Sequence, residues 1–200
     1  MGRKSIAEIR KEEIIKAFFE VVSEHGFAKA TIRETARVAG CNRGMLHHYF
    51  DSKESIIEAA VAYVMTAYKA ELMDGLSRYD SARDRIRYLI GWFCDLDRFN
   101  LQFSRAWMEF WALSKSQKGV STALQQCYGD IRNICADLIR EGIKRGEFRK
   151  VNPVVAANVI LASLEGSTML WVVDTDHTPV KAMGKQIEEM VAAHLLKRPE

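Results

Sequence analysis

The sequence predicts an all-α chain, with a small N-terminal three-helix domain followed by a larger helical one. Three observations carry that expectation. Apolar residues recur at three- and four-residue steps over most of the 200 positions, which is the period of an amphipathic helix. No stretch alternates with period two for long enough to argue for a sheet. The punctuation is also helical, with Thr31, Asn42 and Asn152-Pro153 as starts and Gly26, Gly40 and Gly146 as stops.

The first helix is expected over 7–25, where Ile9, Ile14, Ala17, Phe18, Val21 and Val22 share one side. Gly26 stops it. Ahead of it, Arg3 and Lys4 form a short basic arm. Thr31 and Glu34 have the capping-box spacing, so a short helix begins at Ile32 and turns Ile32, Ala36 and Ala39 inward. Gly40 ends it, because glycine enters the left-handed region at little cost. Asn42 then caps a second short helix over 43–49, with Leu46 and Phe50 pointing into a small core. Arg43, Gly44, Met45, His47, His48 and Tyr49 remain outward.

Two short helices joined by a glycine-containing turn form a helix-turn-helix, whose second helix enters the DNA major groove. Arg43 suits a bidentate pair with guanine, Met45 a thymine methyl, and the imidazoles and Tyr49 hydroxyl suit base edges or phosphates. Gly44 is a poor helix former, which close backbone approach to DNA explains better than stability does. Lys53, at the positive end of the next helix, is a natural phosphate contact. The charge agrees: residues 1–53 hold ten Lys/Arg against seven Asp/Glu, a surplus of three that equals the +3 of the whole chain. A metal site at His47-His48 is not expected, because neighbours on a helix point about 100 degrees apart.

These residues resemble the TetR family of bacterial one-component transcriptional regulators. The resemblance rests on Gly26 with Phe27, Thr31-Ile32-Arg33-Glu34 with Ala36, Ala39-Gly40, the run Gly44-Met45-Leu46-His47-His48-Tyr49-Phe50, and Lys53-Glu54. It covers about the first quarter of the chain. It implies base or phosphate contacts from Arg43, Gly44, Met45, His47 and His48, and phosphate contacts from Thr31, Tyr49 and Lys53; Arg33 and Asn42 complete the candidate set. His47 stands where the family usually has tyrosine, and Cys41 where valine is common. The base preference therefore cannot be carried over from a relative.

Downstream, one long helix is expected over 53–79, then helices over 86–96, 99–115 and 120–145. Asn152-Pro153 starts an apolar helix reaching Val173. That helix has the length of a membrane span, but Asn158 and Glu165 would be costly in lipid and no second span accompanies it, so burial in protein is expected. A last helix over 179–197 shows Ile187, Met190, Val191, His194 and Leu195 on one face. Two such apolar helices point to a four-helix dimer interface with a second subunit, which the resemblance also implies; the alternative is that both pack inside one monomer. Two readers on a two-fold axis then address a palindrome with half-sites about 34 Å apart. In the family a small molecule releases DNA through the long linking helix.

Trp92, Phe93, Phe99, Phe103, Trp107, Phe110, Trp111 and Tyr128 crowd into fewer than forty residues, with Glu109 and Glu165 as possible acids. Of these, Trp92, Phe103, Trp107, Phe110, Trp111 and Tyr128, with Trp171 and Glu165 on the later apolar helix, form the candidate effector site. Aromatic faces beside a carboxylate suit a cationic organic ligand, although aromatics at helical spacing also simply build cores. The segment SRAWMEFWA (104–112) and Leu164-Glu165-Gly166 resemble the choline-responsive, BetI-like branch of the family. The expected division is a DNA-binding domain over 1–53 and an effector-binding and dimerisation domain over 54–200.

Cys41, Cys94, Cys127 and Cys135 lack metal-like spacing and suit reduced thiols in a cytoplasmic protein. The N-terminus lacks the apolar run of a signal peptide. No glycine-rich phosphate loop, G-x-S-x-G or H-E-x-x-H is present, so neither an enzyme nor a cofactor is expected. The rival reading is a helical adaptor that binds another protein and no DNA.

Overall fold

The computed structural model describes residues 5–196; Arg3 and Lys4 of the expected basic arm, and Lys197 at the expected end of the last helix, lie outside the described residues. Among the described residues the chain forms helices α1 (Ile6–His25), α2 (Ile32–Val38), α3 (Arg43–Tyr49), α4 (Lys53–Leu76), α5 (Ala82–Phe93), α6 (Leu101–Leu113), α7 (Lys118–Lys144), α8 (Pro153–Val173) and α9 (Val180–Leu195). A 3-10 turn, Phe27–Lys29, joins α1 to α2, and no strand is present among these residues. The fold is all-α, as the periodicity requires.

The helix ends follow local chemistry. Ser5 opens α1 with a two-way capping box, its hydroxyl accepting from Glu8 N–H at 3.2 Å while its own N–H donates to the Glu8 carboxylate at 2.7 Å. The box expected at α2 is only half made. Glu34 N–H donates to Thr31 Oγ1 at 3.1 Å, but the Glu34 carboxylate turns to the Arg37 guanidinium, 2.9 and 2.6 Å away, a charged donor that outcompetes a backbone N–H. Gly40 and Gly146 take φ of 62° and 76°, where any other side chain is strained.

Several expected spans shorten. α5 stops at Phe93 instead of near 96, because the Asp95 carboxylate accepts from the N–H groups of Asp97 (3.1 Å) and Arg98 (3.4 Å) and forms a local turn that competes with the helix. Ile9 was expected to face inward but is 44% exposed. On α9 the buried stripe is Val180, Gly184, Ile187 and Leu195, while Met190 and His194 face outward. That stripe faces α5 and α8, with which α9 packs.

The described chain forms two compact units. One comprises the residues up to Ala67 together with Arg105–Cys127, the other Tyr68–Ser104 together with the residues from Tyr128 onward. In the first, α1 packs on the 3-10 turn, α2 and α3, and Phe18, Val21, Ala36, Leu46, Phe50, Ile56 and Ile57 are buried. In the second, the core includes Leu72, Ile86, Leu89, Ile90, Trp92, Ile139, Phe148, Ile160, Leu164 and Leu195.

Helix α8 spans Pro153–Val173 as expected, with the Asn152 side-chain oxygen accepting from the N–H groups of Val154 and Val155. It is long and apolar enough to cross a membrane. It is not fully buried within one chain. Val155, Val159 and Leu170 are 56%, 60% and 57% exposed, and with Ala162, Gly166 and Val173 they recur at three- and four-residue steps.

Candidate nucleic-acid interface

The reading helix is built on two anchors and a cap. Leu46 is fully buried and Phe50, just past the end of α3, nearly so. Asn42 adopts extended backbone, and its side-chain oxygen accepts from Met45 N–H at 2.8 Å. This fixes the start of α3, and only one face of the helix can be inside. Arg43, Gly44, Met45, His47 and His48 are all exposed and Tyr49 is half-exposed. Next to them, Thr31 and Arg33 are exposed, the threonine hydroxyl being engaged as the cap of α2. His48 and Tyr49 pack edge to face at 5.1 Å.

Three residues acquire local roles beyond what sequence alone showed. The Asn42 carbonyl oxygen is committed to its cap, which leaves its amide N–H groups for other partners. A Cβ on Gly44 would lie 3.3 Å from that same oxygen, so glycine here protects the cap as well as leaving the backbone open. Lys53 is tied down: its ammonium donates to the Phe27 carbonyl at 3.0 Å and sits 4.1 Å from the centre of the Phe27 ring. Burial pushes its pKa down, partly opposed by Glu54. The signal for that tie was the aromatic residue following Gly26, which periodicity does not register.

The aromatic candidates divide between the two units. Trp92, Phe103, Tyr128, Glu165 and Trp171 belong to the second, Trp107, Phe110 and Trp111 to the first. In the second unit the rings of Tyr68, Trp92, Phe99 and Phe103 meet at centroid distances from 4.9 to 5.8 Å. Trp92, Phe99 and Phe103 come from the aromatic run seen in the sequence, and Tyr68 joins them from α4. Burial raises the Tyr68 hydroxyl to about 12. The Trp92 Nε1 is buried and finds no hydrogen-bond partner among the described residues. The Tyr128 hydroxyl donates to Glu165 Oε1 at 3.0 Å; burial raises the Glu165 carboxyl pKa and that hydrogen bond partly lowers it. In the first unit Phe110 is fully buried, its ring meeting Phe19, Phe27 and Trp107, while Trp111 is 42% exposed.

None of the four cysteines forms a disulfide, and Cys94, Cys127 and Cys135 are buried. Burial raises the thiol of Cys135 to about 12 and also raises that of Cys41 in the turn, which makes both poor nucleophiles.

A chain with this reader and this helical order has recognisable relatives. The family described as bacterial regulatory proteins, tetR family, matches residues 14–60, and the family described as the C-terminal part of BetI-type transcriptional repressors matches residues 82–196. The chain belongs to the TetR family, with a C-terminal region of the BetI type. As a TetR-family member it is a DNA-binding transcriptional regulator, and the adaptor reading is not favoured. A BetI regulator from Serratia proteamaculans is 30% identical over 177 residues, 86% of this chain and 83% of that relative. A BetI regulator from Stenotrophomonas maltophilia is 32% identical over 122 residues; that match spans 58% of this chain and 60% of the relative's length. A solved structure from Saccharomonospora viridis, described as a transcriptional regulator in complex with choline, has a TM-score of 0.85 at 18% identity and covers 94% of this chain and 98% of its own. At that identity the likeness concerns the fold.

Proposed function

We propose that this TetR-family chain is a cytoplasmic repressor that binds a palindromic operator as a homodimer and leaves it when a small cationic organic effector binds. The observation that carries the reading is the division of α3: Leu46 is wholly buried while Arg43, Met45, His47 and His48 are exposed on the same seven-residue helix. A helix that enters a DNA groove needs such a face, with an arginine and hydrogen-bonding rings able to reach base edges and phosphates. Arg43 and Met45 then address base edges, and Thr31, Arg33, Tyr49 and Lys53 the phosphates, with Gly44 allowing close approach and Asn42 holding the helix start.

The homodimer is formed by α8 and α9. Val155, Val159, Ala162, Gly166, Leu170 and Val173 make one apolar stripe that a single chain leaves uncovered, and its small central residues admit a facing helix at short range. A second subunit's equivalent pair buries it.

The effector site is drawn from the second unit. Glu165, held by Tyr128, supplies the carboxylate for a cation, and Trp92, Phe103 and Trp171 supply aromatic surface. The unpaired Trp92 Nε1 calls for an oxygen acceptor on the same ligand. A quaternary ammonium compound carrying a hydroxyl or carboxylate meets both demands, and the choline bound by the Saccharomonospora viridis relative in fold is of that class.

The test is a titration of the dimer on its operator duplex with choline and with an uncharged isostere. Release by choline alone supports the reading. Release by both, or by neither at millimolar concentration, removes the cationic effector.

A further inference from the structure

The tie between Lys53 and Phe27 does not stop at Phe27. The ammonium carries three N–H donors, one of which is spent on the Phe27 carbonyl at 3.0 Å, while the Phe27 ring lies 4.1 Å below. A flexible four-carbon side chain is thereby held at one point at the N-terminal end of α4, with donors to spare for a phosphate. Phe27 is itself wedged. Its ring meets Phe18 edge-on at 6.1 Å on one side and Phe110 edge-on at 6.3 Å on another, and both of those rings are fully buried. Phe110 belongs to α6, close to the end of that helix, and touches Trp107 one turn earlier at 6.2 Å.

We infer that Phe27 is a positioning residue for the phosphate contact of Lys53, and that Phe110 sets Phe27, so that α6 bears directly on one DNA contact. The inference rests on the DNA-binding reading above and adds to it the side chains that aim one phosphate contact. Close-packed rings shift together or not at all. Withdrawal of Phe110 frees the Phe27 ring, the ammonium loses its platform, and a pre-aimed donor becomes a freely rotating one. Loss of one phosphate contact per subunit weakens binding to every sequence alike while the base contacts of Arg43 remain.

The experiment is a salt titration of DNA affinity with the full chain and one defined operator duplex, supported by melting temperature and helix content. Each phosphate contact contributes roughly 0.9 to the slope of log affinity against log salt. Lys53→Ala is expected to lower the slope by about that amount per subunit. Phe27→Leu, which keeps apolar volume but removes the ring face, is expected to lower it in the same direction, with base preference unchanged and with little further loss in the double variant. Phe27→Tyr restores the wild-type slope. A folded Phe27→Leu with the wild-type slope, or with a loss that adds fully to that of Lys53→Ala, overturns the inference, because a purely structural role lowers the melting temperature and leaves the slope alone. If Phe27→Leu loses helix content, Phe110→Leu decides: a lowered slope supports the relay, and an intact slope in that folded variant overturns it. A wild-type chain whose binding ignores salt overturns the DNA-binding reading itself, which is a different result from a steep slope insensitive to Phe27.

Discussion

The Tyr128 hydroxyl donates a 3.0 Å hydrogen bond to the Glu165 carboxylate, joining the middle of α7 to the middle of α8 inside one compact unit. The bond lowers the carboxyl pKa, but burial outweighs it and the net shift is upward. A buried acid with a raised pKa holds its proton in the folded state after the unfolded chain has released it. Stability therefore falls as pH rises from the ordinary carboxylate value of 4.5 through the raised folded value. Glu165→Gln should remove that slope, which denaturant unfolding at a series of pH values reads directly.

The same carboxylate binds a cation only when ionised. Affinity for a quaternary ammonium effector is expected to rise with pH across the same window and to reach a plateau above it, with proton release on binding. Glu165→Gln should weaken binding on the order of tenfold, the scale of one charge-assisted contact, and abolish the proton release. Calorimetry in two buffers of different ionisation heat measures both.

Asn42 holds the start of α3 through Met45 N–H. Asn42→Ala should cost about 1 kcal/mol and lower the melting temperature by several degrees, whereas Asn42→Ser should retain most of the stability. Affinity for specific and random duplexes should fall together in the alanine variant. Leu46→Ala, which empties a fully buried site beneath the same helix, should cost about 2 to 5 kcal/mol, as read by chemical denaturation.

Val159 belongs to the uncovered α8 stripe and is 60% exposed. Val159→Glu should leave helix content and monomer folding nearly unchanged, since the side chain is mostly exposed within one chain, yet shift sedimentation from dimer to monomer. Palindrome affinity should then fall by a hundredfold or more, toward that of a single half-site, as two linked contacts become one.

Much of the fold was legible because its signals are local. The cap at Asn42, the left-handed Gly40 and the proline start of α8 each act within four residues, and each lies where its residue type requires. What was missed depends on competition or on distant partners. Glu34 completes no capping box because Arg37, one turn on, offers a stronger donor. Asp95 ends α5 early by capturing backbone N–H groups of the following turn. The outward face of α3 was readable from the spacing of Leu46 and Phe50. The tie of Lys53 to Phe27, and the entry of Tyr68 into the aromatic cluster, join residues about twenty-five or more apart and leave no periodic trace.

The central claim is that α3 offers its polar side to a DNA duplex. Its most direct measurement is selection of bound sequences from a random duplex pool, with wild type and Arg43→Ala in parallel. The account predicts a palindrome for the wild type and, for the variant, relaxed preference at one symmetric pair of positions, worth about 1 to 3 kcal/mol of discrimination each. No enriched palindrome with the wild type, or the same palindrome at the same stringency with both proteins, would contradict it.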